Sequence, residues 1–349
     1  MGNTEIFRNN TAFSRETFSC LKGYFAICVL IHHLYQFTGF FSDTSFGMVF
    51  ILLGHWAVVM FIFMSGYGLA SSYLSDKETY LKNFPRKRLL TFYLTYLFFV
   101  IIYTVYGLIT GADISFLQII HSLTYGGTIV SFGWYFQLTI LLYVLFFFTR
   151  LIKDNKSFLA VLSILIIAFV ASNYFIGEQE LVYVPSLSFL AGVFMGHIHR
   201  NEKKKSVSAA QSIVLFLMGA VVFSAFTVTG ILIDYGYFDA VPNRNLVNFA
   251  KLIFMILADW GFIATVMSLV GLLCKSVPVM INNPISRFMG KNCLEIYALQ
   301  GLFLISLNKV ISNRLIYAFV SAVCIISAAT ALHLPIKFIM NKIKGSGAI

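Results

Sequence analysis

Charge is scarce in this sequence. Only 11% of its 349 residues are charged, and only 14 are Asp or Glu. A soluble domain carries about 25% charged residues to cover its surface, so an ordinary water-soluble globule is excluded. The five cysteines, Cys20, Cys28, Cys274, Cys293 and Cys324, lie in or beside apolar runs with no CxxC-like spacing. That excludes a cysteine-built zinc site and reads them as small apolar residues rather than disulfides, and no metal is expected. There is no GxSxG frame around Ser65, so close helix packing at Ser65-Gly66 is favoured over a nucleophilic serine. The chain also lacks internal repeats, low-complexity linkers and any sign of a second domain, so a single domain over residues 1–349 is expected. No small-residue cleavage site follows the first apolar run, which predicts a retained first helix rather than a signal peptide.

What the chain has instead is apolar length. It is 59% hydrophobic, with 37 Phe and 18 Tyr and a mean hydropathy of +0.84. A helix needs about 20 apolar residues to cross the hydrocarbon core. Runs of that order lie at about 21–41, 46–70, 89–109, 133–150, 157–176, 183–199, 207–233, 247–273, 292–309 and 315–340. The expected fold is therefore all-α, a polytopic integral membrane bundle of about ten transmembrane helices. The stretch 110–132 is expected to hold a short amphipathic or re-entrant piece.

The net charge of +11 sits in short clusters between apolar runs, which is the positive-inside pattern and not a nucleic-acid-binding surface; no nucleic-acid partner is expected. With the N-terminus inside, 21 of the 25 Lys and Arg fall on one side, all but Arg244, Lys251, Lys309 and Arg314. One missed span would invert every later loop, so this asymmetry predicts both termini in the cytoplasm, with 177–182 and 234–245 facing outward. The expected location is the bacterial cytoplasmic (inner) membrane, in contact with lipid.

Ionisable groups are costly in a bilayer and therefore mark candidate functional positions. They are Lys22, His32 and His33 in the first helix, His55 in the second, Asp259 in the eighth and Glu295 in the ninth. His197 and His199 stand at a helix end beside a basic run and read as interfacial. His33 follows Lys22 by eleven residues. Eleven steps of 100° bring the two to one helix face, about 16 Å apart along the axis. One face thus joins a cation at the rim to a buried imidazole able to exchange a proton near neutral pH. At PRKRLL, residues 85–90, Arg86, Lys87 and Arg88 stand where a helix begins. They serve either as topological anchors or as a grip on phosphates.

Taken in order, these segments resemble the membrane acyltransferase-3 family, bacterial integral-membrane enzymes that O-acylate glycans. KGYFAICVLIHH is similar to that family's first helix, in which an arginine is followed after ten residues by a histidine; here the pair is Lys22 and His33. MFIFMSGYGLA resembles an apolar run ending in Ser-Gly-Phe, and FPRKRLLTFYLTYL the basic start of a helix, with Thr91 where the family usually has another arginine. FGWYFQLTILLY, residues 132–143, and FLAGVFMG, residues 189–196, also correspond. GKNCLEIYALQ, residues 290–300, is like the closing signature, with Cys293 and Gln300 at its serine and histidine positions.

The resemblance implies an acyl-CoA donor, usually acetyl-CoA, and an extracytoplasmic or lipid-linked glycan as acceptor. The physical reading fits that division: His33 is expected to act as general base or transient acyl carrier, oriented by Glu295 or Asp259, and Arg86 and Arg88, with Lys22 as a third cation, to hold the donor's phosphates. A polytopic transporter is the alternative, as is an inactive family member acting as an assembly subunit. Against the transporter stands the absence of repeated halves with matching broken helices.

Overall fold

The computed structural model describes residues 11–42, 44, 46–124, 127–201 and 208–345, and these are helical with no strand among them. Arg8, Lys203, Lys204 and Lys205 of the cation tally lie outside the described residues. The helices are α1 (Arg15–Thr38), α2 (Phe46–Ser75), α3 (Lys77–Phe84), α4 (Thr91–Ile109), α5 (Phe116–Leu123), α6 (Trp134–Arg150), α7 (Asn155–Ile176) and α8 (Glu180–Tyr183). They continue with α9 (Ser186–Asn201), α10 (Ala209–Asp234), α11 (Arg244–Ser276), α12 (Pro278–Ile281), α13 (Pro284–Lys291), α14 (Cys293–Asn308) and α15 (Arg314–Lys344).

Eight stretches among the described residues are long and apolar enough to cross a membrane. They are α1, α2, α3 continued through α4, α7, α8 continued through α9, α10, α11 and α15. The chain is a multi-pass membrane protein. The two remaining runs form α6 and α14, of 17 and 16 residues. Both are short for a full crossing; α14 buries every residue from Glu295 to Gly301, while α6 buries Tyr135 to Thr139 and exposes Phe148. The stretch 110–132 does hold a short amphipathic helix, α5. It is opened by a capping box in which Ser115 and Gln118 satisfy each other's backbone N–H, and it leaves Phe116 and Leu117 exposed.

α3 runs into α4 through a π-helical turn, Pro85–Leu90. Pro85 has no N–H to donate to the preceding turn, which accounts for the loss of regular helix there. The turn carries the cations Arg86, Lys87 and Arg88, all exposed.

The helices group into two compact units. Among the described residues, one comprises those within 11–22, 58–75 and 159–288, the other those within 23–57, 76–158 and 289–345. In the first unit α10 lies along α11 at glycine contacts: a Cβ on Gly261 would stand 2.6 Å from the Phe223 nitrogen. α9 meets the later part of α2 in the same way, since a Cβ on Gly192 or on Gly66 would collide with the carbonyl of Phe63 or of Phe189. Small residues here let backbones touch, as expected for Ser65-Gly66. In the second unit α14 and α15 pack together, α15 being capped by Asn313, whose side chain accepts from the Leu315 and Ile316 N–H groups.

Candidate functional site

His33 is 6% exposed and belongs to the second unit. Its Nδ1 stands 2.5 Å from Oε1 of Gln300 on α14, and its ring lies flat against Phe132, with centroids 3.8 Å apart and an interplanar angle of 13°. An amide oxygen can only accept, so Nδ1 carries the proton and Nε2 is left with a lone pair. This is the tautomer a general base needs.

Three features hold this arrangement. Gly301 lets the loop before α6 come close, because a Cβ there would lie 2.1 Å from that of Ser131. The next residue, Phe132, takes a left-handed backbone, φ 62°, a conformation that costs a non-glycine residue about 1–3 kcal/mol. Its carbonyl accepts a 2.6 Å hydrogen bond from the Tyr297 hydroxyl. Beyond these, the hydroxyl of Tyr103 on α4 stands within the α14 ladder around Gln300. It donates to Ala298 O at 2.9 Å and accepts from Leu302 N at 2.8 Å, bridging two groups that a regular turn would pair directly. Irregular backbone at membrane depth survives only where protein surrounds it, and here it is enclosed. Gln300 itself is 0% exposed, and its Nε2 has no hydrogen-bond partner among the described residues. A buried amide donor without a partner is costly, and it is aimed from the residue that already grips His33.

The other sequence candidates are distributed as follows. His32 turns to α2, its Nδ1 2.9 Å from Phe50 O and its ring where a Cβ on Gly54 would stand. Glu295 is 5% exposed and meets His333 of α15, Oε1 to Nδ1 at 3.0 Å, so its imidazole partner is His333 and the group on His33 is Gln300. Asp259, 2% exposed, lies on α11 in the first unit, whereas His33 lies in the second. Lys22 is half-buried on α1. Arg86 donates its Nε to Ile343 O at 2.6 Å, tying α15's last turn, where cations are favoured. Arg88 lies 6.0 Å over the Tyr80 ring. His199 Nδ1 is 2.7 Å from the Tyr67 hydroxyl, and His197 Nδ1 is 3.0 Å from Val193 O on its own helix. Both therefore have structural partners.

Sequence reading passes over Phe132, Tyr103 and His333. His333 carried a signal, being an ionisable residue inside the last apolar run. Tyr103 carried none beyond the aromatic richness of the whole chain, and Phe132 only its place at the head of the segment FGWYFQLTILLY. Gln300 was visible only as a departure from the family's histidine, with nothing to show that it meets His33.

A family model described as an acyltransferase domain matches residues 16–335 of the chain. No curated protein matches it, and neither does any solved structure. The match takes in both units, and with them His33, Gln300 and the basic turn at 85–90; it does not favour a transporter. A multi-pass helical chain covered by that family over nearly its whole length is an acyl-transferring membrane enzyme, a member of the acyltransferase-3 family.

Proposed function

We propose that this protein transfers a short acyl group, acetyl from acetyl-CoA, to a hydroxyl of a cell-surface or exported glycan in the bacterial cytoplasmic membrane. The observation that carries the reading is the buried His33, with Nδ1 on Gln300 Oε1 and one face closed by Phe132. Such an imidazole has one free task, to take a proton at Nε2.

In the proposed step Nε2 accepts the proton of the acceptor hydroxyl as its oxygen attacks the thioester carbonyl. The new C–O bond forms, the C–S bond breaks, and the imidazolium returns its proton to the departing CoA sulfur. The unpaired amide N–H of Gln300 is suited to the oxygen that becomes negative in between, because buried donors aimed at developing charge stabilise it strongly. Arg86 and Arg88 are the cations assigned to the donor's phosphates. Arg86 keeps its outer guanidinium nitrogens for this beyond its Nε bond to Ile343. Glu295 and His333 form a separate pair and take no part in the step.

The test is mass spectrometry of the surface glycan in a deletion strain and in the same strain complemented with wild type or His33→Ala at matched membrane abundance. Wild type restores an acyl group and His33→Ala does not; equal restoration by both overturns the mechanism. The expected sidedness is tested with Cys substituted at Lys275 and at Asp239. A membrane-impermeant thiol reagent on intact cells labels the second alone, and labelling of the first alone inverts the topology.

A further inference from the structure

The first unit contains a cavity of about 550 Å³ lined by Tyr174 at the end of α7, the turn 177–179, Glu180, Asp234 ending α10, and Arg244, Asn248 and Lys251 at the start of α11. We infer that this cavity binds a saccharide unit of the acceptor glycan. The inference rests on the glycan reading above, since that reading is what places a polyhydroxylated ligand outside the membrane. It adds where such a ligand is held.

The lining identifies the ligand's chemistry. Lys251 Nζ stands between Glu180 Oε2 at 3.0 Å and Asp234 Oδ1 at 2.7 Å, and Arg244 Nη2 reaches Asp239 Oδ1 at 2.7 Å. Both cations are thus matched by carboxylates of the protein, which disfavours a phosphate or other anion as the occupant. A metal ion is disfavoured as well, because an ammonium already sits between the two acids. Glu180 and Asp234, which line the cavity, each have a second oxygen, which can accept from a hydroxyl. Gln179 and Asn248 are exposed and offer amides, groups that both donate and accept as a sugar's neighbouring hydroxyls do. The half-exposed ring of Tyr174 is steadied edge-on by Phe249, with centroids 6.3 Å apart, and gives an apolar face for sugar C–H groups.

The walls are fixed by the same contacts. The Lys251 bridges tie three segments of chain together. Gly177, at φ 83°, ends α7 with Glu178 N donating to Asn173 O at 3.1 Å. The volume lies within the ~300–1,000 Å³ usual for small-ligand sites. These segments are also the ones whose lack of clustered cations puts them outside by the positive-inside pattern.

The test uses full-length purified protein and oligosaccharide released from the unacylated surface glycan of the deletion strain. A second arm uses the same saccharide still on its lipid carrier. Tyr174→Ala/Asn248→Ala changes side chains at the cavity mouth and leaves the Lys251 bridges in place. Saccharide binding is expected to weaken at least tenfold in both arms, KM for the acceptor to rise accordingly, and acetyl-CoA affinity to be unchanged. Binding of the lipid-linked form alone, weakened by the same variant, identifies a lipid-carried source and supports the site. Saccharide affinity and acylation equal to wild type in the double variant overturn it while the acyltransfer reading stands. Variant-sensitive binding by a wild-type protein that transfers no acyl group supports the cavity and removes the acyltransfer reading.

Discussion

His33 and Lys251 are both basic side chains held by partners from other helices, but under opposite conditions. At His33 the partner is a neutral amide, and the imidazole is 6% exposed. At Lys251 the partners are two carboxylates, and the side chains are 20% exposed for Lys251, 30% for Glu180 and 57% for Asp234. Water at the second site shares the cost of holding charges, so ion pairs can form walls there without a large desolvation penalty. At the first site a carboxylate on Nδ1 would add a buried charge that must itself be satisfied. An amide fixes the same tautomer with no net charge. On the reading proposed above, the buried site moves a proton and the open one recognises neutral polar groups.

The strongest way to break this comparison is to remove the imidazole. His33→Ala is expected to lower acyl transfer by about 10²–10⁴-fold, the range for a positioned general base, with membrane abundance and acetyl-CoA binding retained. His32→Ala, which loses a contact to α2 rather than a reacting group, should cost far less in the same glycan assay. The partner comes next. Gln300→Leu keeps the volume but leaves Nδ1 unheld and removes the amide donor, and turnover is expected to fall about 10²–10³-fold. Gln300→Glu restores an acceptor for Nδ1 without the donor and should recover part of the loss; rates equal to the Leu variant would show that tautomer control contributes nothing.

A smaller effect is expected from Tyr103→Phe, which removes the hydroxyl bridging Ala298 O and Leu302 N. Stability should drop by about 1–3 kcal/mol, read as a lower Tm of the purified protein, with turnover falling as α14 re-forms a regular turn near Gln300. An unchanged Tm and turnover would make the bridge incidental. The smallest effect is expected at the exposed cations proposed to hold the donor. Arg88→Ala should weaken acetyl-CoA binding by about 1 kcal/mol, roughly fivefold in Kd, because solvent screens an exposed charge. Unchanged calorimetric affinity in Arg86→Ala/Arg88→Ala would leave the pair as membrane-surface anchors.

How much of this was legible depends on which interactions are local. Apolar runs appear as helices where the hydropathy placed them, and the amphipathic piece in 110–132 appears as α5. His33 was singled out by its depth and its helical phase with Lys22. The expected carboxylate on His33 was not legible, because Glu295 and Gln300 are five residues apart on α14. Five steps of 100° point them about 140° away from each other, so one meets His333 while the other meets His33. No local pattern says which face of α14 turns to α1.

Composition and periodicity alone determined that this chain is helical and crosses the membrane many times, since lipid leaves the backbone of a spanning segment little choice but internal hydrogen bonding. The segment order, with the motif residues it carries, also pointed to the acyltransferase-3 family. The tertiary structure decided which buried groups touch. Packing Tyr103 into α14 and Ser131 against Gly301 brings Phe132 and Gln300 onto His33, and the same packing gives Glu295 to His333. Those contacts join residues far apart in the chain, so their geometry is set by how helices meet and not by any helix's own sequence.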